Sequence, residues 1–177
     1  MVRTVVAACF ALMLAIPALA QDDYPKIQTS LGYANLGFPD FTTGEKSRHS
    51  GFMNQTGFNL TRTWGLENYM GIYSLGSGVT LIADFFGGKA TWRAAKVAPY
   101  ALAGLGVGYF TSSTSYGYGS SSSFAARLGV GADVPINDSM AVKVEISKMA
   151  FHFKTTLSSA WTRGTNFSTG IVFTLAQ

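Results

Sequence analysis

Residues 124–151, FAARLGVGADVPINDSMAVKVEISKMAF, decide the fold of this chain. Every second residue from Phe124 to Val134 is apolar, and the same alternation resumes at Met140, after the polar turn 135–139. Successive side chains of a β-strand point to opposite faces, so each of the two runs has one apolar face. Two such runs joined by a short turn rich in Pro, Asn and Asp predict a β-hairpin.

The charged side chains of this hairpin lie on the face opposite the apolar one. They are Arg127 and Asp133 on the first strand and Lys143 and Glu145 on the second. In a narrow interior lined by glycine and charged residues these charges should pair, because an unpaired buried charge is very unfavourable. We predict a structural network with Arg127 diagonally near Glu145 and with Asp133 near Lys143; the alternative is a gated or leaky pore. Further contributors are expected at Arg62, Glu67 and Asp84.

The first 20 residues have the organisation of a secretory signal peptide. A positive start at Arg3 precedes an apolar run, and small residues end the segment at Ala20. The run is too short to span a membrane as a helix. We therefore predict a signal peptide over residues 1–20, cleaved after Ala20, and a single domain over residues 21–177. Cys9 is the only cysteine and falls in the signal peptide, which leaves the domain without thiol chemistry.

The composition is typical of a membrane protein without spanning helices. Charged residues make up 12% of the chain, compared with roughly 25% in an average soluble protein. Beyond the signal peptide, no apolar stretch approaches the length of a spanning helix. The net charge of +4 comes from scattered basic residues, whereas nucleic-acid binding requires a focused basic stripe. We therefore expect contact with anionic lipid headgroups and no nucleic-acid partner.

Alternating segments occur along the whole domain, and eight of them have the length of a strand that crosses a bilayer on a tilt. Besides the two strands of the hairpin, they are Lys26–Asn35, Gly51–Arg62, Leu66–Ser74, Val79–Phe86, Tyr100–Phe110 and Thr165–Leu175. Eight tilted strands close into a barrel whose interior is just filled by side chains, and closure removes the edges that lipid does not tolerate. The predicted fold is all-β, an eight-stranded antiparallel up-and-down transmembrane β-barrel.

If both termini lie on one side, the connections alternate between the two ends of the barrel. Short turns would then lie in the periplasm with the termini, and polar loops at 37–50, 75–78, 111–123 and 151–164 would face outward. Aromatic residues would form girdles at the two membrane interfaces. The predicted girdle consists of Trp64, Trp92, Tyr100 and Phe173 near the periplasm and of Tyr109 and Phe151 near the outside.

Three segments carry a resemblance to a known family. Residues 100–109 (YALAGLGVGY), 124–135 (FAARLGVGADVP) and 140–149 (MAVKVEISKM) resemble the last strands of small OmpA/OmpX-like outer-membrane β-barrel proteins. The likeness covers essentially all of the mature chain, as a pattern rather than as a strict motif. It implies a location in the outer membrane, surrounded by outer-membrane lipids and lipopolysaccharide, and insertion by the outer-membrane assembly machinery.

The residues offer little for catalysis. A lipid A-modifying barrel enzyme would need a nucleophile and a base oriented by a carboxylate, but no Asp or Glu lies between Phe151 and Gln177. We interpret His49 and His152, the only histidines, as residues without a catalytic role. No cluster of ligands has metal-binding spacing, so we predict neither a metal nor a cofactor. The run Gly104–Gly108 lacks the lysine and the spacing of a phosphate loop and is interpreted as room for interior side chains.

Four functions are compatible with this sequence. The leading hypothesis is a non-enzymatic, monomeric outer-membrane barrel with a structural or surface-interaction role. Its outward loops, with Tyr116 and Tyr118 among serines, would offer an adaptable contact surface for ligands. The alternatives are a narrow channel for small solutes or ions, a lipid A-modifying enzyme, and a soluble lipocalin-like barrel. The last would need a polar outer face, which the small, charge-poor residues here do not provide.

Overall fold

A computed structural model describes residues 24–39, 45–76, 78–93, 96–114, 117–154 and 159–176. Within these ranges the chain forms eight β-strands. They are β1 (Ile27–Pro39), β2 (Lys46–Asn59), β3 (Trp64–Gly76), β4 (Val79–Thr91), β5 (Ala98–Thr114), β6 (Gly117–Asn137), β7 (Met140–Lys154) and β8 (Ser159–Ala176). The predicted signal peptide over residues 1–20 lies outside the described residues.

The strands form one closed antiparallel barrel in chain order. β1 closes the ring by pairing with β8, from Gly37 opposite Thr165 to Ile27 opposite Ala176. Closure gives both edge strands a partner for their backbone N–H and C=O groups. The prediction of an eight-stranded up-and-down barrel is confirmed. In the part of the chain that the structure describes, no helix is long and apolar enough to span a membrane.

The alternation of the sequence decides which side chains enter the barrel. Val130 is 55% exposed on the outer wall, whereas Arg127, three residues earlier on the same strand, is 4% exposed inside. Strands β1 and β5 follow the same rule, with Leu31 and Leu105 pointing outward. The result is a largely apolar wall around a filled interior, which is what eight strands allow.

Both ends of the described chain lie at one end of the barrel, the termini end, with the β2–β3, β4–β5 and β6–β7 connections. Lys26 N donates to Ala176 O at 2.8 Å, which holds the start of the chain against its last strand. The other four connections lie at the opposite end. Among them, the β3–β4 turn contains Gly76 and Gly78 with φ of 81° and 74°, a conformation that residues with a Cβ rarely adopt.

The strands extend further at the opposite end than the sequence predicts. The segment 111–123 is predicted to be a polar loop, but β5 continues to Thr114 and β6 begins at Gly117. Thr111 pairs with Ser120 in this extension. Residues 37–39, 46–50, 151–154 and 159–164 likewise belong to strands. A change from apolar to polar residues therefore shows where the apolar part of the outer wall ends, but the strands stay paired beyond that point.

A polar strip interrupts the outer wall across β1 to β4. Asp84 is exposed there, and Asn68 Nδ2 donates to its Oδ1 at 2.7 Å. Asn54 Nδ2 donates to Thr29 Oγ1 at 3.4 Å, and the hydroxyls of Thr29 and Thr56 lie 3.2 Å apart. The prediction that Asp84 contributes to the interior is wrong, because the alternation of β4 turns its odd-numbered residues inward.

Replacement of Asp84 by leucine should stabilise the barrel in a lipid bilayer. A carboxyl group on a lipid-facing wall is unfavourable, so we expect Asp84→Leu to raise the free energy of unfolding by about 1–2 kcal/mol. Asn68 keeps a second hydrogen bond, from Nδ2 to the Phe85 carbonyl at 3.3 Å. Urea unfolding of protein refolded in lipid vesicles measures the change. The control is Asp138→Leu in the exposed β6–β7 turn, and equal effects of the two substitutions would contradict a lipid-facing Asp84.

Candidate functional site

The interior of the barrel holds a continuous chain of six charged side chains, here called the charged chain. In order of contact they are Glu145, Arg127, Glu67, Lys89, Asp133 and Lys143. The Arg127 guanidinium meets two carboxylates, with Nη2 on Glu145 Oε1 and Nη1 3.3 Å from Glu67 Oε1. All six residues are at most 6% exposed. Three cations and three anions leave the charged chain neutral, as buried charges require.

Lys89 connects the two halves of the charged chain. Its Nζ lies 3.6 Å from Glu67 Oε2 and 3.7 Å from Asp133 Oδ2. Asp133 Oδ1 lies 3.7 Å from Lys143 Nζ, and the two residues stand directly opposite each other on β6 and β7. The sequence indicates Glu67 but not Lys89, because Lys89 lies beyond the end of the predicted strand Val79–Phe86. Lys89 follows the inward-facing Phe85 by four residues, and an even spacing puts two residues of a strand on the same face. This spacing is the signal that could have revealed Lys89 as an interior residue.

The register of the β6–β7 hairpin differs from the predicted one, in which Glu145 would be the diagonal neighbour of Arg127. Arg127 stands opposite Met149, and Glu145 stands opposite Gly131, four residues further along β6. The long Arg127 side chain still reaches Glu145, because both side chains enter the same narrow space. The structure thus brings the four predicted residues into one chain of contacts. The prediction for Arg62 is wrong, since Arg62 is exposed in the β2–β3 turn, beyond the end of the strand.

Tyr100 belongs to the interior and not to the aromatic girdle. It is 2% exposed, and its hydroxyl donates to Glu145 Oε2 at 3.2 Å. The Nζ atoms of Lys89 and Lys143 lie 4.2 Å and 4.8 Å from its ring centroid, within cation–π range. Gly131 leaves room for the ring, since a Cβ there would lie 2.4 Å from the Tyr100 hydroxyl. The girdle prediction for Tyr100 is wrong because even-numbered residues of β5 face inward.

A hydrogen-bonded network continues from Arg127 toward the opposite end. The Arg127 Cζ lies 3.8 Å from the ring centroid of Tyr69, and the hydroxyls of Tyr69 and Tyr73 are 2.5 Å apart. The Tyr73 hydroxyl donates to Asn166 Oδ1 at 2.9 Å. Asn166 Nδ2 donates in turn to Ser147 Oγ at 3.5 Å. The sequence does not reveal this network, because apolar and polar residues occur on both faces of the predicted strand Leu66–Ser74 and leave its facing open.

Aromatic rings fill the interior near the opposite end. Phe151 lies at the centre of this aromatic cluster and is fully buried, so the prediction that it belongs to the girdle is wrong. Its ring centroid is 5.5 Å from that of Phe38 and 5.7 Å from that of Phe110. Other members of the same core are Leu36, Met53, Leu81, Phe85 and Met149. The predicted interior of glycine and charged residues therefore describes only the half of the barrel near the termini.

The charged chain and the aromatic cluster separate two clefts that open at the ends of the barrel. The cleft at the termini end has a volume of about 250 Å³ and extends to Asp133. The cleft at the opposite end has a volume of about 430 Å³ and is lined by Phe110 and Phe153. A void beside Glu67 and Arg127 measures about 10 Å³, which is about the space of one water molecule.

The two histidines lie in different environments. His49 is buried inside the barrel, whereas His152 is half-buried on the outer wall, with its ring centroid 5.0 Å from that of Trp161. Within the described ranges, no group of three or more His, Cys, Asp or Glu side chains could hold a metal ion. Tyr116 and the side chain of Tyr118 lie outside the described part of the chain.

The remaining girdle residues lie on the outer wall. Trp64 and Trp92, at the termini end, are 44% and 57% exposed. Tyr109 points outward nearer the opposite end and is 43% exposed. Phe173 is half-buried on the outer face of β8.

A family model described as outer membrane protein beta-barrel domain matches residues 6–174. No curated protein sequence matches the chain.

Solved structures with the same fold include outer-membrane barrels of three bacteria. Neisserial surface protein A has a TM-score of 0.68 at 11% identity, over 84% of this chain and 96% of its own. Ail, the attachment invasion locus protein of Yersinia pestis, in complex with the heparin analogue sucrose octasulfate, has a TM-score of 0.53 at 16% identity, over 83% and 97%. The N-terminal barrel domain of Pseudomonas aeruginosa OprF has a TM-score of 0.52 at 14% identity, over 81% and 96%.

Removal of Glu145 should strongly destabilise the barrel. In Glu145→Leu, Arg127 loses one of its two carboxylates, and Tyr100 and Gln55 lose the oxygen to which they donate. We expect the free energy of unfolding in lipid vesicles to fall by about 3–5 kcal/mol. Ser123→Ala is the control and should cost under about 1 kcal/mol, because the buried Ser123 hydroxyl has no hydrogen-bond partner among the described residues.

The double variant Arg127→Met/Glu145→Leu should lose less stability than the sum of its two single variants. It removes both charges of the pair, and Glu67 keeps Lys89 as a partner. A double-mutant cycle of unfolding free energies measures the coupling. Strictly additive effects would show that Arg127 and Glu145 do not stabilise each other.

Proposed function

Because the chain belongs to the outer membrane protein beta-barrel domain family, we propose that it is a non-enzymatic barrel with a closed interior, which acts through its surfaces in the outer membrane. The observation that carries this proposal is the filling of the interior by the charged chain and the aromatic cluster. The charged residues would then have a structural role, holding β3, β4, β6 and β7 together from within.

The closed interior favours a structural or surface role over a channel. An ion that crossed the barrel would have to separate the pairs of Arg127 and displace the buried ring of Phe151. Breaking a buried ion pair costs several kcal/mol, and the rings of the aromatic cluster are a poor replacement for the water around an ion. A narrow channel remains the second candidate, favoured by the clefts that enter the barrel from both ends.

The opposite end has the chemistry of a contact surface. The paired extension of β5 and β6 exposes small polar side chains, with Gly119 to Ser122 open to solvent. We propose that this end faces the outside of the cell and contacts ligands there. The same fold in Ail is known in complex with a heparin analogue, which supports ligand contact at a barrel surface as the role to test.

The proposal includes neither catalysis nor a cofactor. His152 packs against Trp161 on the outer wall, while the interior carboxylates are engaged with cations. A histidine base without an orienting carboxylate is a poor starting point for a lipid-modifying enzyme.

The partners of the barrel would be outer-membrane lipids, lipopolysaccharide and, during insertion, the outer-membrane assembly machinery. A closed barrel has no sheet edge to share with a second chain, so a monomer is the expected state.

Refolded wild-type protein should show no stepwise conductance in planar bilayers, because neither half of the interior leaves a passage. The double variant Tyr100→Gly/Phe151→Gly removes one ring beside the charged chain and one ring of the aromatic cluster. We expect this variant to conduct more than the wild type. A sample of refolded wild-type protein that is heat-modifiable on gels controls for folding. Steady wild-type conductance would contradict the closed interior and favour the channel.

A further inference from the structure

A groove crosses the outer wall nearer the opposite end, and basic side chains border it. This basic groove has a volume of about 740 Å³ and spans β6, β7, β8, β1 and β2. The small residues Gly37, Ala126 and Ala150 lie along it and leave the wall concave. Most of its lining side chains belong to the outer wall. Arg127, whose side chain pairs inside the barrel, is the member of the charged chain that also lines it.

Strand register places the side chains of the basic groove in two rows. The first row is Leu128, Lys148, Thr165, Gly37 and Arg48, paired in succession across five strands. The second row, one step toward the opposite end, contains Ala126, Ala150 and Arg163. Both rows come from the outward face of their strands, so the cations project into the surroundings of the barrel.

Four exposed cations border the basic groove. They are Lys46, Arg48, Lys148 and Arg163. Lys148 Nζ donates to Thr165 Oγ1 at 2.5 Å, and Arg48 Nη1 donates to Asn35 Oδ1 at 3.0 Å. An ammonium has three N–H donors and a guanidinium five, so most of these donors stay available to a ligand. In the described part of the chain no carboxylate pairs with these cations.

The layers on either side of the basic groove have the chemistry of a membrane interface. Toward the opposite end, the ring centroid of Trp161 lies 5.0 Å from that of His152 and 6.2 Å from that of Phe124. Toward the termini end, Val130 and Ile146 continue the exposed apolar wall. Aromatic belts mark the level of the headgroups, and aliphatic wall residues mark the acyl chains. The four cations therefore lie where lipid headgroups meet acyl chains.

We propose that the basic groove binds a lipid with two phosphate groups, the chemistry that lipid A of lipopolysaccharide presents. Two phosphates match four cations, whereas a phospholipid such as phosphatidylglycerol offers one negative charge. Charge-assisted hydrogen bonds from Lys148, Arg163 and Arg48 hold the phosphates, and an acyl chain lies along Leu128, which is 65% exposed. The assignment rests on the proposed function in one respect, that the opposite end faces outward. It does not depend on the closed interior.

Lipid binding by purified variants tests this site. Refolded protein in mild detergent is titrated with lipid A, monophosphoryl lipid A or phosphatidylglycerol, and bound lipid is counted by native mass spectrometry. The test variant is Lys148→Gln/Arg163→Gln. Its control, Arg62→Gln/Lys96→Gln, removes the same charge from exposed turns at the termini end. We expect the test variant to bind lipid A at least about ten-fold more weakly than the wild type, and the control to bind as the wild type does.

The wild type should also prefer lipid A over monophosphoryl lipid A, and monophosphoryl lipid A over phosphatidylglycerol. Equal binding by the test variant and the wild type would overturn the site, as would binding of phosphatidylglycerol as tight as that of lipid A. Heat-modifiability on gels checks that each variant is folded, and Arg48→Gln provides a second test if the double variant does not refold. Conductance is measured on the same proteins. Steady wild-type conductance would contradict the closed interior, whereas unchanged lipid A binding by the test variant would contradict the lipid site, so the two outcomes can be told apart.

Discussion

Neutrality of the charge inside the barrel is the condition on which the rest of the structure depends. An eight-stranded barrel is narrow enough that its interior must be filled by side chains, and charges placed there lose most of their hydration. Arg127, Glu67, Lys89 and Asp133 each meet two opposite charges, so the charged chain links β3, β4, β6 and β7 across the interior. Loss of one member leaves its neighbours uncompensated on other strands.

The interior is divided into a charged half and an aromatic half, and the two close it by different means. Near the termini, ion pairs and the Tyr100 ring occupy the space that Gly131 leaves free. Near the opposite end, the Phe151 ring packs edge to face against the rings of Phe38 and Phe110. A passage would have to open both layers together. Under the proposed function, the two ends and the outer wall would then be the surfaces on which the barrel acts.

The outer wall is apolar but not uniform. The polar strip around Asp84 lies across β1 to β4, while the basic groove lies across β6, β7, β8, β1 and β2. The polar strip and the basic groove therefore share β1 and β2, while β3 and β4 belong to the strip alone and β6, β7 and β8 to the groove alone. With the proposed lipid site, the wall would have preferred lipid neighbours, because the energetic cost of Asp84 in lipid contrasts with the favourable contacts that the four cations would offer to phosphates.

The amino-acid sequence by itself determined the closed eight-stranded barrel, because period-two alternation assigns one face of each strand to the outside. It also determined that Arg127, Asp133, Lys143 and Glu145 face inward, since β6 and β7 alternate without ambiguity. Strand β4 has apolar residues on both faces, so its facing, and with it the positions of Asp84 and Lys89, was decided only by the tertiary structure. The aromatic cluster and the contact of Arg127 with Glu67 were decided in the same way. Alternation fixes the facing of residues within one strand, but neighbours across the interior depend on the register and the closure of all eight strands.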